Sequence, residues 1–256
     1  MSSVGLYHET TGPPAAPLLM GGSLGSSLKM WEPQLELSPA VRLIRFDLRG
    51  HGRSPVTEGP YSVPELGSDV LGLMDRLGME RASYCGLSLG GMIGQWLAIN
   101  APERIDRLIL ICTAAYMPPR ENWIDRAQTV RAAGSPEAIA DAVIGRWFTE
   151  PFTRANPEVV ARHRAMIART SAEGYAACCE AIADLDLRST LAGVTAPTLV
   201  IAAAQDPSIP PEHGREIADA IPGARYEVLD PCAHLSNVER AADVTRLIAN
   251  HLEAER

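Results

Sequence analysis

Short runs of apolar and β-branched residues punctuate this chain, and most of them are continuously apolar rather than alternating. The runs are Val4–His8, Leu18–Met20, Val41–Phe46, Ala82–Cys85, Leu108–Cys112, Thr198–Ala203 and Arg225–Leu229. Continuous apolar strands are typical of a parallel sheet that is buried on both faces. Helical patterns lie between many of the runs, as in Pro64–Leu77 and Ser88–Asn100. This alternation predicts an α/β fold with a mostly parallel, doubly wound sheet.

The alternation stops between about Pro118 and Leu187. Gly134 should end one helix there, Ser135-Pro136 should start a second, and Asn156-Pro157 should start a third. Because ligands bind at the carboxyl edge of an open α/β sheet, a helical insertion between two strands is expected to cap that edge. We therefore predict a core made of residues 1–118 and 187–256, with a helical cap at residues 119–186.

Composition narrows the class of protein further. A hydrophobic content of 46% in 256 residues is enough for a full core, and a net charge of −8 argues against nucleic-acid binding. No apolar stretch approaches the ~20 residues that span a bilayer, and the first residues lack the pattern of a secretory signal. The five cysteines show no C-x-x-C spacing, which argues against zinc or a disulfide framework and favours a cytoplasmic location. We expect no metal, no cofactor and no membrane contact.

The pentapeptide Gly-x-Ser-x-Gly occurs twice, at residues 21–25 and 86–90. This pattern is typical of a nucleophilic serine on a sharp turn from a strand to a helix. A strand precedes Ser88 and a long helical pattern follows it, whereas the helical pattern after Ser23 is weaker and is interrupted by Pro33. We therefore predict Ser88 as the nucleophile. The Leu89 N–H and the Leu24 N–H are the expected donors of the oxyanion hole, and Ser23 is expected to line the site.

A serine nucleophile needs a base, and the base needs an orienting acid, in the chain order Ser, Asp or Glu, His. His234 is the histidine that combines a late position with a loop after a predicted strand. Asp206 directly follows the predicted strand at 198–203 and is the preferred acid, with Asp184, Asp186 and Asp230 as weaker candidates. Three of the other five histidines have other expected roles: His51 supports the floor of the site, and His163 and His251 lie on the surface.

Several segments together resemble the α/β-hydrolase superfamily over nearly the whole chain: residues 47–54 (DLRGHGRS), the turn at Ser88, the helical insertion and the late His234. The finer resemblance is to the 3-oxoadipate enol-lactonases of the β-ketoadipate pathway of aromatic catabolism. It rests on Ser23-Leu24-Gly25 with Met30-Trp31, on residues 85–95 (CGLSLGGMIGQ), and on Arg146-Trp147-Phe148. The family usually has asparagine where this chain has Gly22.

The resemblance implies that Ser88, deprotonated by His234, opens a lactone through an acyl-enzyme. The small-molecule substrate would carry a carboxylate, which a chain of net charge −8 must bind locally. Arg146 is the candidate because a guanidinium pairs bidentately with a carboxylate, and Trp147 would line the same pocket. A surface ion pair for Arg146 and a packing role for Trp147 remain alternatives.

Other activities of the same fold stay open from the sequence. A general carboxylesterase or a carbon–carbon-bond hydrolase would use the same three residues, and so would a haloperoxidase-like side activity. A small-molecule receptor of this fold is a further alternative. The sequence makes no prediction of the oligomeric state.

Overall fold

The computed structural model describes residues 3–254, in which one seven-stranded sheet forms the centre of the molecule. The strands are β1 (His8–Thr11), β2 (Pro17–Gly21), β3 (Arg42–Phe46), β4 (Ala82–Leu87), β5 (Ile105–Ile111), β6 (Thr198–Ala203) and β7 (Arg225–Leu229). Their order across the sheet is β1-β3-β2-β4-β5-β6-β7. β1 pairs with β3 antiparallel, and every other neighbouring pair is parallel. The predicted α/β class with a mostly parallel sheet is therefore confirmed.

One predicted strand is wrong. The run Val4–His8 does not form a strand, and β1 begins only at His8, where it pairs with Phe46. The preceding backbone N–H groups bond to side chains instead: the Val4 N–H donates to Asp69 and the Tyr7 N–H donates to Ser54. Apolar composition alone could not reveal these acceptors, which lie far away in the sequence.

Helices follow most of the strands and cover both faces of the sheet. They are α1 (Val63–Arg76), α2 (Leu89–Asn100), α3 (Arg120–Ala133), α4 (Ala140–Trp147), α5 (Glu150–Ala155), α6 (Pro157–Ala168), α7 (Ala172–Ala183), α8 (Pro211–Ala220), α9 (Ser236–Glu239) and α10 (Ala241–Glu253). α1 begins with a capping box, in which Ser62 accepts the Glu65 N–H and Glu65 accepts the Ser62 N–H. The segment after β2 is a 3₁₀ helix, Leu28–Leu37, that contains Pro33.

The core has two layers, one on each face of the sheet, because successive strand residues point to opposite faces. In β5, for example, Leu108 and Leu110 join one buried cluster while Ile109 and Ile111 join the other. All four of these side chains are fully buried. The continuously apolar strands of the sequence are thus explained by helices on both sides.

We call α3–α7 the inserted helices, because they lie between β5 and β6 in the chain. Gly134 ends α3 in the left-handed conformation (φ 69°), and Pro157 starts α6, as the sequence predicts. α7 packs closely on the loop after β3, where a Cβ on Gly174 would lie 2.3 Å from the Gly50 carbonyl oxygen. The division into a core and a separate cap remains a prediction.

Candidate active site

The loops that carry the predicted site residues leave the carboxyl ends of four parallel strands. Ser23 and Leu24 follow β2, Ser88 follows β4, Asp206 follows β6, and His234 follows β7. Carboxyl ends of parallel strands lie at one edge of a sheet, so residues far apart in sequence meet there. The inserted helices contribute Val143, Arg146 and Trp147 to the same cavity, among other residues.

Ser88 occupies a strained backbone conformation between β4 and α2, with φ 58° and ψ −117°. Such a conformation is uncommon for a residue with a side chain and is typical of the turn that exposes a nucleophilic serine. Its neighbours must be small: a Cβ on Gly86 would lie 2.2 Å from the Gly90 carbonyl oxygen, and a Cβ on Gly90 would lie 2.2 Å from the Gly21 carbonyl oxygen. The glycines of the pentapeptide therefore allow the turn to form.

The two Gly-x-Ser-x-Gly segments pack against each other. The Gly90 N–H donates to the Gly22 carbonyl oxygen at 3.0 Å, so the loop after β2 lies beside the start of α2. Within residues 3–254, neither the Leu24 N–H nor the Leu89 N–H donates a hydrogen bond to a protein acceptor. Leu24 lines the cavity that contains Ser88. Neither N–H group is taken by a protein acceptor among the described residues, which is a requirement for the donors of an oxyanion hole.

Two buried side chains hold the loop after β2 in place. The Gly25 N–H donates to His51 Nε2 at 2.9 Å, and the Ser23 N–H donates to the Met30 sulfur at 3.3 Å. His51 Nδ1 faces the Arg49 carbonyl oxygen at 3.1 Å, which places the ring proton on Nδ1. Burial lowers the pKa of His51 from 6.5 to about 4, so the ring is neutral and can accept. His51 thus supports the floor of the site, as expected.

Asp206 and His234 form a buried hydrogen-bonded pair. His234 Nδ1 lies 2.6 Å from Asp206 Oδ2, which orients the ring so that Nδ1 donates. Asp206 Oδ1 accepts the Ser208 N–H at 2.8 Å and the Ile209 N–H at 3.0 Å. One oxygen therefore closes a turn while the other orients the histidine. This arrangement leaves His234 Nε2 as the unprotonated nitrogen, able to accept a proton.

The weaker candidates for the acid lie elsewhere. Asp184 pairs with Arg120 at 2.7 Å, and Asp186 pairs with Arg188 at 2.6 Å. Both pairs are exposed at the surface. Of the candidate acids within the part of the chain that the structure describes, Asp206 is the one that contacts His234.

Ser88, His234, Ser23 and Leu24 line one small inner cavity of about 40 Å³. Its volume has room for no more than a few water molecules. Ser88 and His234 share this cavity without a direct hydrogen bond between their side chains, among residues 3–254. Such bonds are often long before a substrate binds and shorten in the reacting complex.

A larger outer cavity of about 470 Å³ adjoins the inner one, and both are lined by Trp123, Arg126, Val143, Arg146 and Ser208. Arg126 donates to the Tyr175 hydroxyl, and its guanidinium lies over the Trp123 ring, 5.5 Å from the centroid. Neither Arg126 nor Arg146 forms an ion pair with a carboxylate anywhere in residues 3–254. Two arginines without an ion-pair partner among the described residues therefore line the cavity that contains Ser88.

A sequence model of the alpha/beta hydrolase fold family matches residues 17–241 of this chain. The chain belongs to the α/β-hydrolase family. It is 42% identical to 3-oxoadipate enol-lactonase 2 of Acinetobacter baylyi, over 93% of this chain and 89% of that protein. The predicted fold, the predicted enzyme class and the resemblance to the enol-lactonases are therefore confirmed.

Solved structures of other hydrolases superpose closely on this hydrolase. An enol-lactonase from Burkholderia xenovorans LB400 is 43% identical and has a TM-score of 0.95, with 97% of this chain and 96% of that chain covered. A thermophilic esterase from Thermogutta terrifontis, solved with malate bound, is 33% identical and has a TM-score of 0.91, with coverage of 96% and 92%.

Two histidines of the hydrolase were expected at the surface, and the structure contradicts both expectations. His163 is only 7% exposed because its ring packs edge-on against Trp147 and Phe148. His251 is 3% exposed and lies 3.1 Å from the Pro197 carbonyl oxygen. Burial lowers the pKa of each ring. Both histidines have polar neighbours in the sequence, and these neighbours led to the wrong expectation that each histidine lies on an exposed side of its helix.

Trp147 and Arg146 both line the cavity that contains Ser88, and their role in binding substrate remains a prediction. Trp147 is buried, lines the inner cavity and packs against His163, so it contributes both to packing and to the lining. Arg146 is exposed and lines both cavities. Arg126 was not predicted as a site residue, and its partner Tyr175 lies on a different helix. No sequence pattern links these two positions.

The described residues 3–254 of the hydrolase contain no group of three or more His, Cys, Asp and Glu side chains arranged to hold a metal ion. Across the same residues, none of the helices has the length and apolar character needed to cross a bilayer.

Proposed function

We propose that this hydrolase opens 3-oxoadipate enol-lactone to 3-oxoadipate through an acyl-enzyme on Ser88. The observation that carries the proposal is the position of Arg126 and Arg146, which line the cavity of Ser88 and His234 and lack carboxylate partners within the described chain. A substrate with both a reactive carbonyl and a carboxylate complements this arrangement. The relatives named as enol-lactonases support the same substrate.

In the first step, Ser88 Oγ attacks the lactone carbonyl carbon while its proton moves to His234 Nε2. The Asp206 carboxylate stabilises the resulting imidazolium through the 2.6 Å contact to Nδ1. The Leu24 and Leu89 N–H groups donate to the carbonyl oxygen, which becomes negative in the tetrahedral intermediate. Because α2 begins directly after Ser88, its N-terminal end also favours negative charge at this point.

Collapse of the intermediate breaks the ring C–O bond, and the enol oxygen takes the proton from His234. The enol remains attached to the acyl group and can tautomerise to the ketone. His234 then removes a proton from water, which attacks the acyl-enzyme, and the Ser88 oxygen leaves with the returned proton. The product carries a new carboxylate where the lactone carbonyl was.

Arg126 and Arg146 would bind the carboxylate that the lactone already carries. A guanidinium offers two parallel N–H donors to a carboxylate, and the shared lining places both groups within one space. The contacts of Arg126 with Tyr175 and Trp123 hold its side chain in a defined position before substrate arrives. The malate in the esterase relative, a dicarboxylate, is consistent with such a pocket.

Arg146→Ala should therefore raise KM for a carboxylated lactone or ester by about tenfold and leave KM for a neutral ester of equal size nearly unchanged. A hemisuccinate and a butyrate of the same nitrophenol form a matched pair for this comparison. Arg154→Ala is the control variant, because Arg154 pairs with Glu150 at the exposed surface. Equal losses on the two esters would exclude anion binding by Arg146.

The alternative function is a general carboxylesterase, and the outer cavity of about 470 Å³ would admit larger esters. The two functions differ in kcat/KM for 3-oxoadipate enol-lactone relative to a simple aryl ester. The proposed lactonase should prefer the lactone by about a hundredfold or more, because only the lactone uses both the arginines and the ring-opening chemistry. A preference for the aryl ester would favour the alternative.

A further inference from the structure

Glu239, the last residue of α9, connects two segments that border the site. One carboxylate oxygen accepts the Ala233 N–H at 3.0 Å and the Thr149 N–H at 3.3 Å, and the other accepts the Thr149 hydroxyl. A further bond joins the same segments, from the Leu235 N–H to the Trp147 carbonyl oxygen at 2.9 Å. Four hydrogen bonds thus fasten residues 147–149 to residues 233–235.

The two segments carry residues of the site. His234 lies between Ala233 and Leu235, the two residues whose N–H groups donate in this network. On the other side, Thr149 follows shortly after Trp147, which lines the inner cavity. The network therefore links the end of α4 to the backbone on both sides of the histidine.

Glu239 itself has no contact with the cavity. It is not a lining residue of either cavity, and within residues 3–254 it forms no ion pair, whereas its neighbour Arg240 pairs with Asp243. Its carboxylate is occupied by two backbone N–H groups and one hydroxyl, and hydrogen bonds to a charged acceptor are stronger than those between neutral groups. These contacts explain an acidic residue at this position without any role in binding substrate.

We propose that Glu239 is a positioning residue that holds the His234 loop in its reactive geometry and links it to the substrate-lining end of α4. The proposal rests on the proposed function, in which His234 is the base. Asp206 sets the rotation of the imidazole ring from one side, and Glu239 sets the position of the backbone that carries it. Loss of the carboxylate should therefore slow proton transfer more than it weakens substrate binding.

The direct test compares Glu239→Ala with Glu239→Gln on an aryl ester and on the lactone. Glu239→Ala should lower kcat by about tenfold or more and change KM by less than about twofold, because the base moves while the binding pocket remains. Glu239→Gln should stay within about threefold of wild type: its carbonyl can accept both N–H groups, and its amide can donate to the Thr149 hydroxyl. Equal loss in both variants would overturn the proposal.

A second pair of variants tests the network from the inserted helices. Thr149→Val removes the hydroxyl and keeps the backbone N–H, and Thr149→Ser keeps both. The valine variant should lower kcat in the same direction as Glu239→Ala, and the serine variant should not. This pair also tests the positioning role if the Glu239→Ala variant does not fold. Unchanged kcat in Thr149→Val would by itself contradict a positioning role for this network, and so would unchanged kcat in a folded Glu239→Ala.

The pH profile separates positioning from general destabilisation. The acidic limb of the kcat/KM profile reports protonation of the essential base in the free enzyme, so a displaced His234–Asp206 pair should shift that limb relative to wild type. Arg164→Gln is the control, because it removes ion pairs to Glu137 and Asp141 within the inserted helices and leaves the His234 loop untouched. The acidic limb of the kcat/KM profile of Arg164→Gln should stay at its wild-type position.

The same data distinguish failure of this inference from failure of the proposed function. An aryl-ester rate in Ser88→Ala equal to wild type would contradict the serine mechanism itself. A wild-type enzyme that depends on Ser88, combined with a Glu239→Ala variant whose kcat and acidic limb are unchanged, would contradict only the role of Glu239.

Discussion

His51 makes the stability of this hydrolase depend on pH in a way that can be worked out from its contacts. Its ring is 1% exposed, and Nε2 accepts the Gly25 N–H at 2.9 Å. Protonation of Nε2 would turn this acceptor into a donor that faces another donor. Burial opposes the charge as well, and the pKa falls from 6.5 to about 4.

The direction of the pH effect follows from these two values. Between pH 6.5 and about 4, the unfolded chain binds a proton at His51 that the folded chain does not bind. The free energy of unfolding must therefore decrease as the pH is lowered through this window, and it is fully restored above pH 6.5. The difference between the two pKa values corresponds to about 3 kcal/mol.

The assay is urea unfolding of wild type and His51→Gln at a series of pH values between about 7 and about 4. Glutamine keeps an acceptor for the Gly25 N–H and does not titrate. The stability of wild type should decrease by about 3 kcal/mol more than that of the variant over this range. The lowered pKa values of His163 and His251 affect both proteins equally. If the free energies of unfolding of the two proteins depend on pH in parallel, His51 is not the source of the predicted loss of stability.

Three further predictions concern the site. Asp206→Asn should lower kcat by about a thousandfold or more without unfolding the protein, because the amide no longer fixes the His234 tautomer; steady-state kinetics measure this. Ser23→Ala should change kcat by less than about threefold in the same assay, since the proposed oxyanion-hole donor of this loop is the Leu24 N–H and not the Ser23 hydroxyl. Gly86→Ala should lower the free energy of unfolding by about 3 kcal/mol, because its Cβ would lie 2.2 Å from the Gly90 carbonyl oxygen. Gly145→Ala, which meets nothing within 4 Å, is the matched control and should be neutral or stabilising in urea unfolding.

The parts of the fold that the sequence predicts are those encoded by local patterns. The runs at 198–203 and 225–229 coincide with β6 and β7, and the helix after Ser88 is present as α2. Where the acceptors of the backbone N–H groups lie far away in the sequence, the local pattern does not predict the structure. Residues 4–7 look like a strand, but the Val4 N–H bonds to the Asp69 side chain and the Tyr7 N–H bonds to the Ser54 side chain.

The candidate site shows the same division. Ser88, Asp206 and His234 were predicted from their order along the chain, each after a predicted strand. The folded chain brings Asp206 to His234 and places Ser88 and His234 in one cavity, while their catalytic roles remain predictions. The supporting residues carry no such signal. Glu239 and Arg126 are ordinary charged residues in sequence, and only the folded chain brings them to Thr149 and Tyr175. Contacts between side chains on different helices produce no periodic pattern in the sequence.

The central claim is that Ser88 is the nucleophile for opening the lactone. The most direct measurement is kcat/KM of wild type and Ser88→Ala on 3-oxoadipate enol-lactone, with folding of the variant verified by circular dichroism. Ser88→Ala should lose about 10⁴-fold or more in kcat/KM, with the lactone still able to bind the variant. A Ser88→Ala variant that opens the lactone at the wild-type rate would show that Ser88 is not the nucleophile.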